Sequence, residues 1–256
     1  MSLDLFTPAT NGMKARAILK KSLHLLFPPR CVACNEELHN DSALCPGCWG
    51  SLEMIDDPAC PQCSLPQLGA GTSDIPCDAC LAEPKIWDSA RAVAIYKGSL
   101  RTAILAMKHG DRPDLARQMA PWMARAGRDL IARADLIAPV PLHWRRMAKR
   151  RYNQSALLAK HLSSQTRTMP DLLRKIQHTG SQEGRSRAER LAALENVFSV
   201  SAVHRERVKG RSILLVDDVL TTGATLASCT QALRMCGARE VNVLVLARVA
   251  YHTQRA

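Results

Sequence analysis

The sequence predicts an α/β protein in which a small metal-binding module precedes a parallel sheet flanked by helices. The chain has 256 residues, 46% of them hydrophobic, which is enough for one full domain and a smaller unit. Four Cys-x-x-Cys pairs stand in a row, and apolar strand patterns then alternate with longer helical patterns. We therefore divide the chain into a lead-in with a helix (1–29), a cysteine module (30–84) and a larger domain (85–256).

The lead-in contains one amphipathic helix candidate, at residues 13–26, with leucines and isoleucine near one face. It could lie on a membrane surface, but we favour packing against the cysteine module. Lys20, Lys21 and His24 interrupt the apolar stretch that a signal peptide needs, and the chain has no run of 18 apolar residues for a transmembrane helix. We expect a cytoplasmic protein without stable membrane insertion.

The cysteine module indicates two zinc sites. A reducing cytosol disfavours disulfides, and two Cys-x-x-Cys turns together supply the four thiolates of a closed tetrahedral zinc site. A redox dithiol is the alternative. The predicted ligands are Cys31, Cys34, Cys45, Cys48, Cys60, Cys63, Cys77 and Cys80.

The pairing of the four turns is open, because gaps of 10, 11 and 13 residues allow either two sequential ribbons or a cross-brace. The sequence Asp-Asp-Pro at 56–58 separates the second and third turns, so we favour sequential ribbons. Closed sites leave no coordination position for a substrate, which indicates a structural or recognition role. Cys229 and Cys236 lie seven residues apart on a predicted helix, and we interpret them as core thiols.

The larger domain alternates between the two kinds of element, which favours a mostly parallel sheet covered on both faces. One helix carries Pro121, where we expect a kink. The predicted strands are 90–96, 136–142, 172–176, 212–218 and 240–249, and the predicted helices are 99–110, 113–134, 153–164, 185–195 and 225–237.

Charge is unevenly distributed along the chain. Residues 1–90 hold 6 Lys/Arg and 11 Asp/Glu, a net charge of −5, whereas residues 91–256 hold 29 and 12, a net charge of +17. A basic domain favours an anionic partner, and both a phosphorylated metabolite and a nucleic acid fit. A solvated arginine-rich surface is the plainer interpretation.

Two aspartates follow the most apolar strand. Residues 213–216 should be buried, and ligands of open α/β sheets bind beyond the carboxyl ends of the strands. We expect Asp217 and Asp218 to emerge at that rim, since burying unpaired carboxylates is costly. There they can accept hydrogen bonds from the two adjacent hydroxyls of a ribose.

The next residues are suited to a phosphate. They are small, include three hydroxyls and lead into a helix, so that backbone N–H groups and the helix N-terminus converge on one anion. An aspartate that merely caps the helix explains only part of this string. The predicted phosphate-binding residues are Thr221, Thr222, Gly223, Ala224 and Thr225.

The string Ile-Leu-Leu-Val-Asp-Asp-Val-Leu-Thr-Thr-Gly-Ala-Thr at 213–225 resembles the signature of type I phosphoribosyltransferases, which bind 5-phosphoribosyl 1-pyrophosphate (PRPP) with magnesium. With the cysteine pairs ahead of it, "LFPPRCVAC", "YKGSLRTAILAMKHG", "PVPLHWRRMAKRRYNQ" and "SRAERL" in that order resemble the ComF family, known for competence and DNA uptake. The similarity covers roughly residues 24–250. It implies a type I phosphoribosyltransferase-like sheet preceded by a double zinc ribbon.

The resemblance also implies roles for residues. Asp217 and Asp218 would hold the ribose hydroxyls as the catalytic pair, residues 221–225 would hold the 5-phosphate, and Mg²⁺ would arrive with PRPP. A basic run would contact pyrophosphate, or the phosphates of a nucleic acid, and its plain alternative is an exposed loop. The cations of that run are Arg145, Arg146, Lys149, Arg150 and Arg151.

Three functions stay open at this point. The first is phosphoribosyl transfer from PRPP to an acceptor that the sequence does not reveal. The second is a non-catalytic factor that handles single-stranded DNA, beside a DNA-uptake helicase or another competence protein. The third is a PRPP sensor in which ligand occupancy changes a protein contact of the ribbons.

Overall fold

The computed structural model describes residues 28–38, 40, 42–67, 74–109, 112–142, 152–162, 167–175 and 197–250. Three predictions lie outside these residues: the helix at 13–26, the helix at 185–195 and the structure of the basic run.

Five of the seven strands in the described part of the chain form one parallel sheet, in the order β1-β7-β6-β2-β3. Strands β4 and β5 form a separate antiparallel pair. The predicted parallel sheet is therefore confirmed, but the strand predicted at 172–176 belongs to the small pair. The strands are β1 (Ser89–Ile95), β2 (Leu136–Pro139), β3 (Arg167–Thr168), β4 (Leu173–Lys175), β5 (Phe198–Val200), β6 (Ser212–Leu220) and β7 (Glu240–Arg248).

Two short helices lie in the cysteine module, and the others connect or cover the strands. In the described residues no helix is long and apolar enough to cross a membrane. The helices are α1 (Pro46–Gly50), α2 (Asp78–Ala82), α3 (Gly98–His109), α4 (Asp114–Ala126), α5 (Arg128–Arg133), α6 (Gln154–Lys160), α7 (Arg205–Val208) and α8 (Ala224–Met235), with a 3₁₀ turn at Ala202–His204.

The sheet separates two apolar cores, as the predicted coverage of both faces requires. Helices α3, α4 and α6 contribute to one core, whereas α8 and the β4–β5 pair contribute to the other. Strand β6 supplies both, because successive side chains point to opposite faces. Leu214 and Val216 lie in the first core, and Ile213 and Leu215 lie in the second.

The single helix predicted at 113–134 is two helices. Pro121 lies inside α4, and the break falls at Gly127 instead. A Cβ at Gly127 would lie 2.6 Å from the Cδ atoms of Leu244. Helix α4 thus ends where its backbone lies so close to Leu244 of β7 that a side chain at position 127 would have to displace the leucine.

The strand predicted to end at 218 continues to Leu220. Asp217 pairs in register with Val245, and Leu220 with Arg248. The two aspartates therefore lie within the last residues of β6, not beyond it, and Asp218 is buried. The expectation that both emerge at the rim was wrong for Asp218, whose burial is compensated by an ion pair described below.

The cysteine module packs against the sheet domain. Cys31 and Cys45 lie in the core formed with α3 and α4. The Trp49 and Trp122 rings meet edge to face, with centroids 4.6 Å apart. Further along, the N–H of Ala90 in β1 donates to the carbonyl of Pro61 at 2.7 Å. Each half of the module thus has its own contact with the larger domain.

Candidate functional site

The eight module cysteines form two separate groups. In each group the four sulfur atoms all lie within 4.8 Å of one another. The groups join the first turn to the second and the third to the fourth, which confirms the sequential pairing and excludes the cross-brace. The first cluster is Cys31, Cys34, Cys45 and Cys48, and the second cluster is Cys60, Cys63, Cys77 and Cys80.

The geometry of both clusters fits a tetrahedral zinc ion. Zn–S bonds of about 2.3 Å place the sulfurs about 3.8 Å apart. The Sγ atoms of Cys34 and Cys45 lie 3.6 Å apart, as do those of Cys63 and Cys77. Burial opposes ionisation of the Cys31 thiol, but surrounding backbone N–H groups outweigh it and lower its pKa to about 6, so this thiol ionises most readily of the four in the first cluster.

Asp217 and Asp218 each have a partner from a helix. The Asp218 carboxylate accepts from the Lys108 ammonium, in the last turn of α3, at 2.8 Å. The Asp217 carboxylate accepts from the Ser155 hydroxyl of α6 at 2.8 Å, and from the N–H of Asp218 at 2.9 Å. Two helices and one strand therefore fix the acidic pair at the carboxyl end of the sheet.

Asp217 is the more perturbed of the pair. Burial raises its pKa to about 7, and the negative charge of Asp218 adds to the effect, while Ser155 and Lys108 oppose it. Near neutral pH this carboxyl group is therefore partly protonated. A ligand that donates hydroxyl hydrogen bonds to the carboxylate, or a cation beside it, would favour the ionised form.

The thiol of Cys229, in α8, is completely buried. Its pKa is raised well above the usual value by burial, with a contribution from the Asp217 carboxylate. Cys229 is thus a neutral core thiol, as predicted. Cys236 is partly buried and packs against the same core.

The predicted phosphate-binding residues form the turn between β6 and α8. Thr221, Thr222 and Thr225 are exposed. Gly223 stands at the N-cap of α8 and has no side chain to cap it, while the N–H of Ala224 donates to the Thr222 hydroxyl at 3.4 Å. Hydroxyl and N–H donors at the start of a twelve-residue helix suit an anion.

Gly223 gives this turn its shape. Its φ of +87° lies in the left-handed region, which side chains other than glycine adopt at a cost. A Cβ at this position would lie 2.6 Å from Cη2 of Trp87. Only glycine satisfies both the backbone conformation and the close approach of the indole.

All five cations predicted for the basic run, Arg145, Arg146, Lys149, Arg150 and Arg151, lie outside the described residues. The residues on either side of the run are anchored near the acidic pair. Val140 donates its N–H to the carbonyl of Val216 at 2.9 Å. The Tyr152 hydroxyl donates to the carbonyl of Met107, the residue before Lys108, at 2.7 Å.

Sequence reasoning missed three side chains around the site. Lys108 is one residue within the motif at 96–110 and has no special position there. Ser155 lies two residues after the Asn153 cap of α6, and Arg248 ends the mostly apolar strand β7. A charged residue directly after the apolar run 243–247 was the available sequence signal for Arg248, which the structure shows to be buried.

Comparison with known proteins agrees with this arrangement. Residues 22–81 match the family model of the double zinc ribbon domain, and residues 153–255 match that of the phosphoribosyl transferase domain. A structure titled "Structure of the allosteric regulatory enzyme of purine biosynthesis" aligns at 22% identity over 54% of this chain and 25% of its own, with a TM-score of 0.34.

Three relatives align over most of the chain. Competence protein F of Haemophilus influenzae is 32% identical over 87% of this chain and 98% of its own length. DNA utilization protein YhgH of Escherichia coli is 33% identical over 79% of this chain and 92% of its own. Competence protein ComFC of Streptococcus pneumoniae is 27% identical over 82% and 90%. With its two four-cysteine clusters ahead of a parallel sheet, this chain belongs to the competence protein F (ComF) family.

Proposed function

We propose that this protein binds PRPP with Mg²⁺ at the carboxyl end of β6 and transfers the phosphoribosyl group of PRPP to an acceptor. We infer that this reaction takes place while the cell uses incoming DNA. One observation carries the proposal: a partnered aspartate pair is followed within three residues by an exposed, hydroxyl-rich turn (221–225) at a helix N-terminus. The match of residues 153–255 to a phosphoribosyl transferase domain supports the same function.

The acidic pair would orient the ribose. The Asp217 and Asp218 carboxylates have acceptor capacity beyond the bonds described above, and two adjacent ribose hydroxyls can donate to them. Lys108 would reduce the repulsion between these carboxylates and an anionic ligand. Mg²⁺ prefers oxygen ligands, and when bound it would neutralise pyrophosphate beside this pair.

The turn would bind the 5-phosphate. The hydroxyls of Thr221, Thr222 and Thr225 and the first N–H groups of α8 would donate to its oxygens, and Gly223 would permit the tight approach. The cations of the basic run would contact pyrophosphate. This assignment is supported by the described residues that flank the run, Val140 and Tyr152, since both are anchored beside the acidic pair.

Transfer would break the bond between ribose C1 and pyrophosphate through a cation-like sugar. The protein then orients the reactants and stabilises the leaving group, so that a dedicated nucleophile is unnecessary. The acceptor is outside what this site defines.

The role in DNA use is supported by the names of the relatives, which refer to competence and DNA utilization. The net charge of +17 over residues 91–256 suits contact with single-stranded DNA. We place this activity in the cytoplasm, beside a DNA-uptake helicase or another competence protein. The two cysteine clusters would each hold one structural Zn²⁺, because closed four-sulfur sites have no position for substrate.

Calorimetric titration of Mg²⁺-PRPP into the zinc-loaded protein tests the proposal. We expect saturable binding that is lost in the Asp217→Asn, Asp218→Asn double variant. Asp135→Asn is the matched control, because Asp135 lies just before β2, at the opposite end of the same sheet. If the unmodified protein does not bind PRPP, the fold is a scaffold, and DNA handling without transfer becomes the better interpretation.

A further inference from the structure

The buried side chain of Arg248 connects the turn at residues 221–225 to the second cysteine cluster. Arg248 ends β7 and is 8% exposed. Its Nε donates to the carbonyl of Cys63 at 2.9 Å. Its Nη1 donates to the carbonyls of Leu220, at 3.1 Å, and Thr221, at 2.7 Å. One guanidinium therefore holds a cysteine of the cluster and the first residue of the turn in a fixed relation.

Trp87 makes a second connection between the same two segments. Its side chain is almost completely buried. The indole Nε1 donates to the carbonyl of Gln62, between Cys60 and Cys63, at 2.7 Å. The far edge of the ring occupies the space where a Cβ of Gly223 would lie. The turn that contains Cys60 and Cys63 thus supports both ends of residues 221–223.

The cysteine turn is itself attached to the sheet by two hydrogen bonds from backbone N–H groups of β1. The buried Ser64 hydroxyl accepts from the N–H of Ala92 at 2.8 Å. The Pro61 carbonyl accepts from Ala90, as described above. The cysteine turn therefore has a defined position on β1.

The bonding of Arg248 is unusual for a buried charge. Among the described residues its hydrogen-bond partners are four backbone carbonyls, the fourth being that of Val249 at 2.7 Å. Burying a guanidinium is costly, and a neutral packed side chain would fill the space at a lower cost. What the arginine adds is a planar fork that fixes several carbonyls at once. It also places a positive charge directly behind a turn suited to an anion.

The first cluster has no such connection in the described residues. Its segment contacts α3, where the Ser51 and Ser99 hydroxyls lie 3.1 Å apart. It also contributes to the core on the opposite face from Trp87. The two clusters are therefore chemically alike but differ in what they support.

We propose that Arg248 and Trp87 are positioning residues through which the metal-loaded second cluster holds the 221–223 turn in its phosphate-binding conformation. Loss of metal from the second cluster then weakens phosphate binding, whereas loss from the first does not act on the turn. The effect on affinity rests on the proposed PRPP site. The effect on the turn does not, because it concerns the conformation of the free protein.

The test compares Arg248→Met with Arg234→Met in the full-length zinc-loaded protein. Arg234 is the control at the other end of α8, because it also donates to two backbone carbonyls, Ala238 and Arg239; its additional ion pair with Asp88 makes it a demanding one. We expect faster amide exchange in 220–225 for Arg248→Met alone, and a dissociation constant for Mg²⁺-PRPP raised about tenfold or more, as for a lost charged hydrogen bond. Zinc content stays unchanged, which separates positioning from general unfolding.

A second comparison acts at the clusters themselves. Cys77→Ser and Cys34→Ser each remove one of the more accessible ligands of a cluster. We expect Cys77→Ser to increase amide exchange in 220–225 and Cys34→Ser to leave it unchanged. Equal effects of the two substitutions, or an effect of neither, would overturn the proposal.

The outcomes keep the two proposals apart. If the unmodified protein does not bind PRPP, the proposed function fails, and amide exchange in 220–225 still decides the role of Arg248. If PRPP binds equally well, within about twofold, to Arg248→Met and its parent, the positioning role is refuted while the proposed function stands. If Arg248→Met does not fold, Trp87→Phe, which removes the Nε1 donor and keeps a ring, replaces it with the same expected and refuting results.

Discussion

The Lys108 ammonium lies 2.8 Å from the Asp218 carboxylate and joins the last turn of α3 to the carboxyl end of β6. Both side chains are less than one-fifth exposed. This ion pair explains how an acidic residue is tolerated inside a strand, since a buried charge requires a compensating partner. It also makes α3 part of the candidate site.

Replacing Lys108 with Gln should destabilise the protein, because the buried Asp218 carboxylate would lose its cation while Asp217 lies next to it in the strand. We expect a loss of about 1–3 kcal/mol at pH 8 and a smaller loss at acidic pH, where Asp217, whose pKa is raised to about 7 by burial, is protonated and no longer repels Asp218. Denaturant unfolding at the two pH values measures this. Lys97→Gln, which removes the exposed ion pair with Glu53, should have little effect; equal losses in both variants would contradict the interpretation.

Asp217→Asn should stabilise the free protein, increasingly as the pH rises. The pKa of Asp217 is raised in the folded state to about 7 from 3.8, so its ionisation opposes folding. The free-energy cost of this ionisation grows as the pH rises from 3.8 to about 7, and it is constant at higher pH. The difference in unfolding free energy between variant and parent should follow the same course.

Asp135→Asn is the control of opposite sign. The pKa of Asp135 is lowered by the N–H of Ser212 and, with a smaller effect, by Arg211 and Arg239. Its ionised form therefore stabilises the fold above the unfolded pKa, and this contribution disappears as the pH falls through the folded value. Asp135→Asn should be destabilising at neutral pH, with a difference that shrinks on acidification. A pH-independent effect of Asp217→Asn would contradict the assigned environment.

Gly223→Ala should be more damaging than Gly210→Ala. Both glycines have positive φ, +87° and +66°, but a Cβ at Gly210 meets nothing within 4 Å. We expect about 1 kcal/mol from the backbone alone at Gly210, and more at Gly223, where the Trp87 ring must move. Thermal unfolding measures the difference. Equal losses would show that Trp87 does not hold the turn.

Native mass spectrometry should find two zinc ions per chain. Cys31→Ser with Cys34→Ser should leave one, because the two clusters share no ligand. Removal of both zinc ions by a chelator should destabilise the cysteine module, because its segments contain little apolar core of their own. Loss of both ions from the double variant would show that the clusters depend on each other.

The parallel sheet, the two clusters and the acidic string followed from local patterns in the sequence. A continuous apolar run predicts a buried strand such as 213–216, and Cys-x-x-Cys spacing predicts which thiols share a turn. The pairing of turns and the partners of Asp218 depend on tertiary packing, which brings Lys108 within reach across 110 residues of chain. Likewise, nothing local to Gly127 indicates that Leu244 lies against it.

A crystal structure of the zinc-loaded protein with Mg²⁺-PRPP would locate the ligand relative to the acidic pair. We expect ribose hydroxyls within hydrogen-bonding distance of Asp217 and Asp218, and the 5-phosphate on the N–H groups and hydroxyls of residues 221–225. PRPP bound elsewhere, or an unchanged site in crystals at saturating PRPP, would contradict this expectation.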